Sequence, residues 1–161
     1  DSLVAFETFP KEGAKQLLFL PVQFNYQYLI VETMFSHMLA LPDPVLKSAY
    51  YVAIMVYLFK AEPKKFPPLL GQAVNSLFER MDSLEVECRD RLTVWFAQHL
   101  SNFNFAWPWA AWANTLNELD GDSPKKIFVR ELLERETRLA YWLTASITSR
   151  VGTVSTPLWM G

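Results

Sequence analysis

Proline spacing constrains this chain more than any other feature. Its ten prolines leave helix-length intervals, and each one ends or opens a helix because it fixes φ and has no amide hydrogen. Asn25 to Ala40 reads as a helix with Tyr28, Val31, Phe35 and Met38 along one side, stopped by Leu41-Pro42. Asp43-Pro44 then has the form of an N-cap followed by proline at the first helical position. The helix it opens, to about Lys60, is apolar all round through Tyr51 to Phe59, which predicts a place in the middle of a bundle.

The pattern continues past Pro63. Pro67-Pro68 opens a third helix carrying Leu70, Val74, Leu77, Phe78 and Met81 at helical spacing. A turn near Asp82-Ser83 leads to a fourth, with Leu92, Trp95, Phe96, His99, Leu100 and Phe103 on one stripe. A short fifth helix places Trp109, Trp112, Leu116 and Leu119 on one face. Gly121 closes it, and Ser123-Pro124 starts a long sixth helix to about Ile147. Pro10 and Pro21 bracket a leading helix over Lys11 to Leu20. No segment shows sustained alternation of period two. The helices pair as 25–60, 66–103 and 109–147, each near the length of a HEAT-type hairpin. The expected fold is all-α: one domain over 1–161, built of stacked antiparallel hairpins, with an irregular Ser/Thr-rich tail over 148–161. Within that tail Leu158-Trp159-Met160 either docks back or belongs to a neighbour.

Composition narrows the function classes. Half the residues are hydrophobic (51%) and 15% aromatic, enough for a dense core. A net charge of −2 gives no general reason to bind nucleic acid or acidic lipid. Cys88 is the one cysteine, which excludes an intrachain disulfide and a cysteine-built metal site. The longest apolar run, Ala49 to Phe59, falls well short of the roughly 20 residues a bilayer requires. The chain opens on Asp1 rather than Met, without a signal peptide, and reads as an excised, soluble intracellular piece of something larger.

Catalytic constellations are thin. His37 and His99 are the only histidines, and Glu32 to His37 is the wrong spacing for a metal-binding His-Glu-x-x-His helix. His99 lies on an apolar stripe, where a histidine bonded to backbone is the usual finding. Cys88 stands among Glu87, Arg89, Asp90 and Arg91, a mixed setting that gives no activated thiolate. No metal, cofactor or catalytic residue is assigned. The competing enzyme reading is a helical hydrolase using His37 or His99 with nearby carboxylates.

Two charged features stand out. Lys125, Lys126 and Arg130 occupy the first two turns of the sixth helix, where the macrodipole disfavours cations; this is either chance or a basic patch facing an acidic partner. Either Arg135 or Glu136 falls on that helix's apolar stripe, implying a structural ion pair or a contact with another subunit.

The densest stretch is His99-Leu-Ser-Asn-Phe-Asn-Phe-Ala-Trp-Pro-Trp-Ala-Ala-Trp112. Phe103, Phe105, Trp107, Trp109 and Trp112 either pack a corner between hairpins or stack nucleobases. No Lys or Arg occurs between Arg91 and Lys125, which favours the corner. Asn102 and Asn104 are then expected to bond the turning backbone. The expected core residues here are Trp95, Phe96, His99, Phe103 and Trp112. The exposed parts of Trp107 and Trp109, with Lys125, Lys126 and Arg130, are the expected partner-binding residues.

That stretch, with Asp90-Arg-Leu-Thr-Val-Trp-Phe96 before it and Asp122-Ser-Pro-Lys-Lys-Ile-Phe-Val-Arg-Glu131 after it, resembles the middle helical domain of the large subunits of nuclear cap-binding complexes. The likeness runs from about Leu20 to Leu143 and includes Asn25-Tyr26 and Val31-Glu32; residues 1–20 match weakly. Ala106 and Pro108 depart from it, standing where the family carries a basic and a small polar residue. The resemblance implies a HEAT-like fold similar to the middle domain of translation initiation factor four-gamma, and a nuclear, non-enzymatic scaffold that shuttles to the cytoplasm. Its implied partner is a small RNA-recognition-motif subunit that holds the 7-methylguanosine cap, so that capped RNA is reached only indirectly. Splicing, processing and export factors are further implied partners, and no membrane is. The alternative is a related RNA-processing scaffold with a different protein partner.

Overall fold

The computed structural model describes residues 26–117 and 121–151. The expected leading helix at Lys11 to Leu20, Leu119 and the Leu158-Trp159-Met160 motif lie outside the described residues. Six α-helices and no strands occur among the described residues: α1 (Tyr26–Met38), α2 (Ser48–Ala61), α3 (Phe66–Glu79), α4 (Val86–Ser101), α5 (Trp109–Asn117) and α6 (Pro124–Val151). A single 3-10 turn, Met81–Ser83, joins α3 to α4.

The closest backbone approaches are between helices two apart in sequence: α4 with α6, α2 with α4, and α1 with α3. Trp112 of α5 donates its indole N–H to Asn75 Oδ1 on α3 at 2.8 Å, placing α5 beside α3. The even helices therefore form one layer and the odd helices another, which is how stacked hairpins pack. Chain directions agree. Glu79, which ends α3 ahead of the turn into α4, pairs with Lys125 at the start of α6, and Gln98 near the end of α4 shares a groove with Leu139 and Trp142. Those two helices run the same way. Across the layers α4 opposes α1, with Phe35 against Trp95 at 5.2 Å and Arg91 bonded near Met38.

Several local expectations shift. On α1 the buried polar position is Gln27, and Tyr28 faces out; the buried stripe is Gln27, Ile30, Val31, Met34, Phe35 and Met38. Gln27 is satisfied by Glu62, its Nε2 donating to Oε2 at 3.1 Å. The second helix starts at Ser48, not at Pro44, and no side chain caps it. The intervening turn is held tertiarily. Val45 N–H donates to the His37 carbonyl, Leu46 N–H to the Tyr51 hydroxyl, and the Arg91 guanidinium donates to the carbonyls of Ala40 (2.7 Å) and Pro42. Nor does α2 lie mid-bundle. Only Tyr51, Ile54, Met55 and Leu58 are buried, while Ala49 and Ala53 are exposed. Among the described residues, its apolar surround meets neighbours on one face only.

Pro67 and Pro68 sit in the first turn of α3 as proposed, and Met81 is buried from the 3-10 turn rather than from the helix. The sixth helix continues to Val151, past Ile147 and into the expected tail. Earlier on this helix the Thr137 and Thr144 hydroxyls donate to the carbonyls of Leu133 and Ala140, four residues back.

Candidate protein-interaction surface

The aromatic stretch forms a corner where α4, α5 and the start of α6 meet. Trp95, Phe96, His99 and Trp112 are buried and Trp107 and Trp109 half-buried, whereas Phe103, expected in the core, is only half-buried because α4 ends at Ser101 and the ring sits in the turn beyond it. Phe78 stacks on Trp112 at 4.3 Å, and Trp107 stands edge-on to both Phe96 (4.9 Å) and Trp112 (5.1 Å). Such ring pairs add about 0.5–1.5 kcal/mol each beyond the area they bury. The turn that makes the corner is tight. Asn102 Nδ2 donates to the Gln98 carbonyl at 2.8 Å, and Asn104 and Phe105 adopt φ of 55° and 58° in succession. A left-handed Asn is common, whereas a left-handed Phe is strained by about 1–3 kcal/mol. Phe105 N–H closes the turn on the Leu100 carbonyl at 2.9 Å.

The residues expected to meet a partner fall into two groups, Lys125, Trp107 and Trp109 around the Phe78–Trp112 stack and Lys126 with Arg130 in a groove between α5 and α6. Lys125 is drawn inward. Its ammonium pairs with Glu79 at 3.1 Å and lies 5.4 Å above the Phe78 ring, leaving the side chain 12% exposed. The first-turn lysine is thus offset by an acidic residue from α3, and it buttresses the stack on Trp112. Arg130 is the outward cation, 57% exposed and 3.6 Å from Asp122. It lines a shallow groove between α5 and α6 with Leu116, Lys126, Val129 and Leu133. Trp109 belongs to the corner, its Nε1 donating to the Phe105 carbonyl at 3.4 Å.

Other residues acquire roles only in three dimensions. Arg91 acts as a clamp. It reaches from α4 to the carbonyls that end α1 and to Glu87 on its own helix at 3.0 Å. Cys88 is buried beside it and donates to the Leu39 carbonyl; burial raises its thiol pKa, leaving it a packing residue. On α6 the stripe Phe128, Leu132, Glu136, Ala140 decides between the two charges: Glu136 is 7% exposed and Arg135 lies at the edge. No ion pair holds the Glu136 carboxyl among the described residues, and its Oε1 has no hydrogen-bond partner. Burial raises its pKa to about 7. Burial likewise lowers the His99 pKa to about 4, and its Nδ1 has no partner. The stripe's i, i+4 step carried the signal for Glu136; nothing in sequence marked the Arg91 clamp.

Along α6, large apolar side chains are exposed among the charged and polar Arg130, Glu134, Thr137 and Arg138. Leu133, Tyr141, Trp142 and Leu143 are exposed, Tyr141 and Trp142 each to 65%, and Arg135 and Arg138 flank Trp142 in a groove against α4. No group of three or more metal-ligating side chains occurs among the described residues, and no described helix is long and apolar enough to cross a membrane.

A two-layer stack of helical hairpins, joined through an aromatic corner and carrying open side faces, is a scaffold architecture. The chain belongs to the MIF4G-like family, whose pattern it matches over residues 6–148. It is 48% identical over 132 residues to nuclear cap-binding protein subunit 1 of Arabidopsis thaliana and 46% identical over 142 residues to that of Oryza sativa. It is 39% identical over 135 residues to the Homo sapiens protein of the same name. These matches cover 82%, 88% and 81% of the chain but 15%, 16% and 17% of the relatives. The chain thus spans about one sixth of the length of these relatives.

Proposed function

We propose that this chain is a non-catalytic scaffold domain of the large subunit of a nuclear cap-binding complex. The observation that carries the reading is identity of 39–48% over more than four fifths of the chain to proteins named nuclear cap-binding protein subunit 1. The role is to bind and order a small RNA-recognition-motif subunit that grips the 7-methylguanosine cap. Rigidity is the useful property here. A helical surface fixed by the Trp95–Trp112 corner holds a partner's mobile segments without ordering itself on binding, so less conformational entropy opposes association. The outward Arg130 beside Lys126, and the Trp142 face with Arg135 and Arg138, are the surfaces assigned to partners. The domain works in the nucleus and reaches capped RNA through the small subunit.

Calorimetric titration of the 161-residue chain with the small cap-binding subunit of the same organism, with and without a cap analogue, tests this. Tighter binding in the presence of the analogue supports the reading, because coupling between two ligands is reciprocal. Failure of both this chain and the full-length large subunit to bind would overturn it. Binding by the full-length subunit alone would place the interface on the other helical domains.

A further inference from the structure

Ser123-Pro124-Lys125-Lys126 combines a serine, a proline directly after it and a lysine three residues on. The chain holds two Ser/Thr-Pro pairs, and the other, Thr156-Pro157, is followed by Leu158 and Trp159 instead of lysines. Each part of the motif suits a phosphate-transferring enzyme. Proline brings no amide hydrogen, so an enzyme that offers this position no acceptor favours it. It also keeps the residue before it extended, the form in which a kinase holds its acceptor. The lysine gives an acidic substrate groove a charge to meet.

The fold leaves this serine available. Ser123 lies outside α6, which opens at Pro124, and is half-buried beside the exposed Asp122. On the body of α6, the Thr137 and Thr144 hydroxyls donate to carbonyls of their own helix. Ser123 Oγ instead accepts, from the Lys126 backbone N–H at 3.3 Å, and donates to no acceptor among the described residues. Two cations stand near it. The Arg130 guanidinium comes within 3.6 Å of Asp122, the residue before the serine, and Lys126 shares the α5–α6 groove with Arg130.

We propose that Ser123 is phosphorylated by a proline-directed protein kinase and that Arg130 holds the phosphate. In the transfer, Ser123 Oγ bonds to the γ-phosphorus of ATP and the bond from that phosphorus to the β–γ bridging oxygen breaks. ADP leaves, and the hydroxyl proton passes to the base of the enzyme. The product carries a charge of about −1.5 to −2 and three acceptor oxygens, so it competes with the single Asp122 carboxylate for the guanidinium. Where this groove meets the small subunit, the same charge offsets Lys126 and Arg130 and weakens association. That consequence rests on the function proposed above, and the site itself does not.

The test incubates the 161-residue chain with a cyclin-dependent kinase, magnesium and ATP, beside a synthetic peptide of the Gly121–Glu131 sequence. Tandem mass spectrometry locates the phosphate. The expected result is one phosphoryl group on Ser123 of the folded chain, none there in Ser123→Ala, and roughly tenfold slower transfer in Pro124→Ala. The ³¹P resonance of the product then reports the second pKa of the phosphate, expected below its ordinary value of about 6 and returning toward it in Arg130→Ala. Transfer to the peptide alone would overturn the inference, because the fold then shields the serine, and so would transfer to Thr156 in place of Ser123. A ³¹P titration unmoved by Arg130→Ala would overturn the assignment of the phosphate to that residue. Titrating the phosphorylated chain with the small subunit is a separate arm. Unaltered affinity there would remove the groove from the interface and leave the modification site standing.

Discussion

Trp95 and Trp142 belong to neighbouring helices of the same layer, yet one is fully buried and the other 65% exposed. The difference lies in what flanks each helix. α4 has α2 on one side, α6 on the other and the end of α1 across the layer, so every ring along its stripe finds a partner. Among the described helices α6 shares its layer only with α4, and Trp142 lies over an open groove beside Val94 and Gln98 of α4 rather than between two helices. In a stacked array the same residue types serve as core or as surface according to position in the stack. Aromatic content alone does not separate anchoring from presentation.

The largest effects should fall on the α4 side. Trp95→Ala or Phe96→Ala is expected to destabilise the domain by about 3–5 kcal/mol, because each empties a site packed on all sides. Trp142→Ala and Tyr141→Ala should stay within about 0.5 kcal/mol of the parent in urea denaturation. Wild-type-like stability of Trp95→Ala, or a loss above about 2 kcal/mol at Trp142, would break the contrast. Arg91→Ala comes next. It strips charge-assisted bonds from the carbonyls of Ala40 and Pro42, and a loss of roughly 2–3 kcal/mol is expected. Arg91→Lys should recover little, since an ammonium lacks the fork that spans these carbonyls.

Buried titrating groups sharpen the comparison through pH. Glu136 holds its proton to about pH 7 when folded and loses it near 4.5 when unfolded, so its contribution is full below 4.5 and lost as pH rises through about 7. His99 has the opposite sign. Its folded pKa of about 4 lies below 6.5, so its contribution is full above 6.5 and lost as pH falls through about 4. The two slopes oppose each other between about pH 4.5 and 6.5. Glu136→Gln should therefore gain stability relative to the parent as pH rises from 4.5 to 7, by on the order of 2 kcal/mol. His99→Phe should gain relative to the parent as pH falls from 6.5 to 4. A pH-independent difference in melting temperature for either variant would show that its group titrates as it does in the unfolded chain.

Much of the architecture was legible because proline placement and helical periodicity are local properties. Pro67-Pro68 and Ser123-Pro124 located two helix starts, and the Leu92–Leu100 stripe matched the buried face of α4. What sequence could not supply was tertiary. Asp43-Pro44 has the local form of a helix start, yet the Arg91 clamp and the Tyr51 hydroxyl hold that segment as a turn. The apolar surround of α2 read as burial on all sides, because hydrophobicity does not report which neighbours exist. At the candidate surface, the sequence left a cation in the first turn of α6 open between chance and a basic patch, and only the fold shows Glu79 arriving from α3 to pair with it.

The smallest effects separate Lys125 from Arg130. Lys125→Met removes a cation held against Glu79 and Phe78, and should destabilise by about 0.5–1 kcal/mol through the pair and the ring contact together. Arg130→Ala breaks an exposed 3.6 Å contact with Asp122 and should change stability by less than about 0.5 kcal/mol. Binding should rank them the other way. Arg130→Glu is expected to weaken association with the small subunit and to flatten its salt dependence, since an outward cation at a rim acts mainly on encounter. Lys125→Met should leave affinity close to the parent, its charge being spent within the domain. Equal affinities for Arg130→Glu and the parent would remove the α5–α6 groove from the interface and leave the Trp142 face as the surface to test.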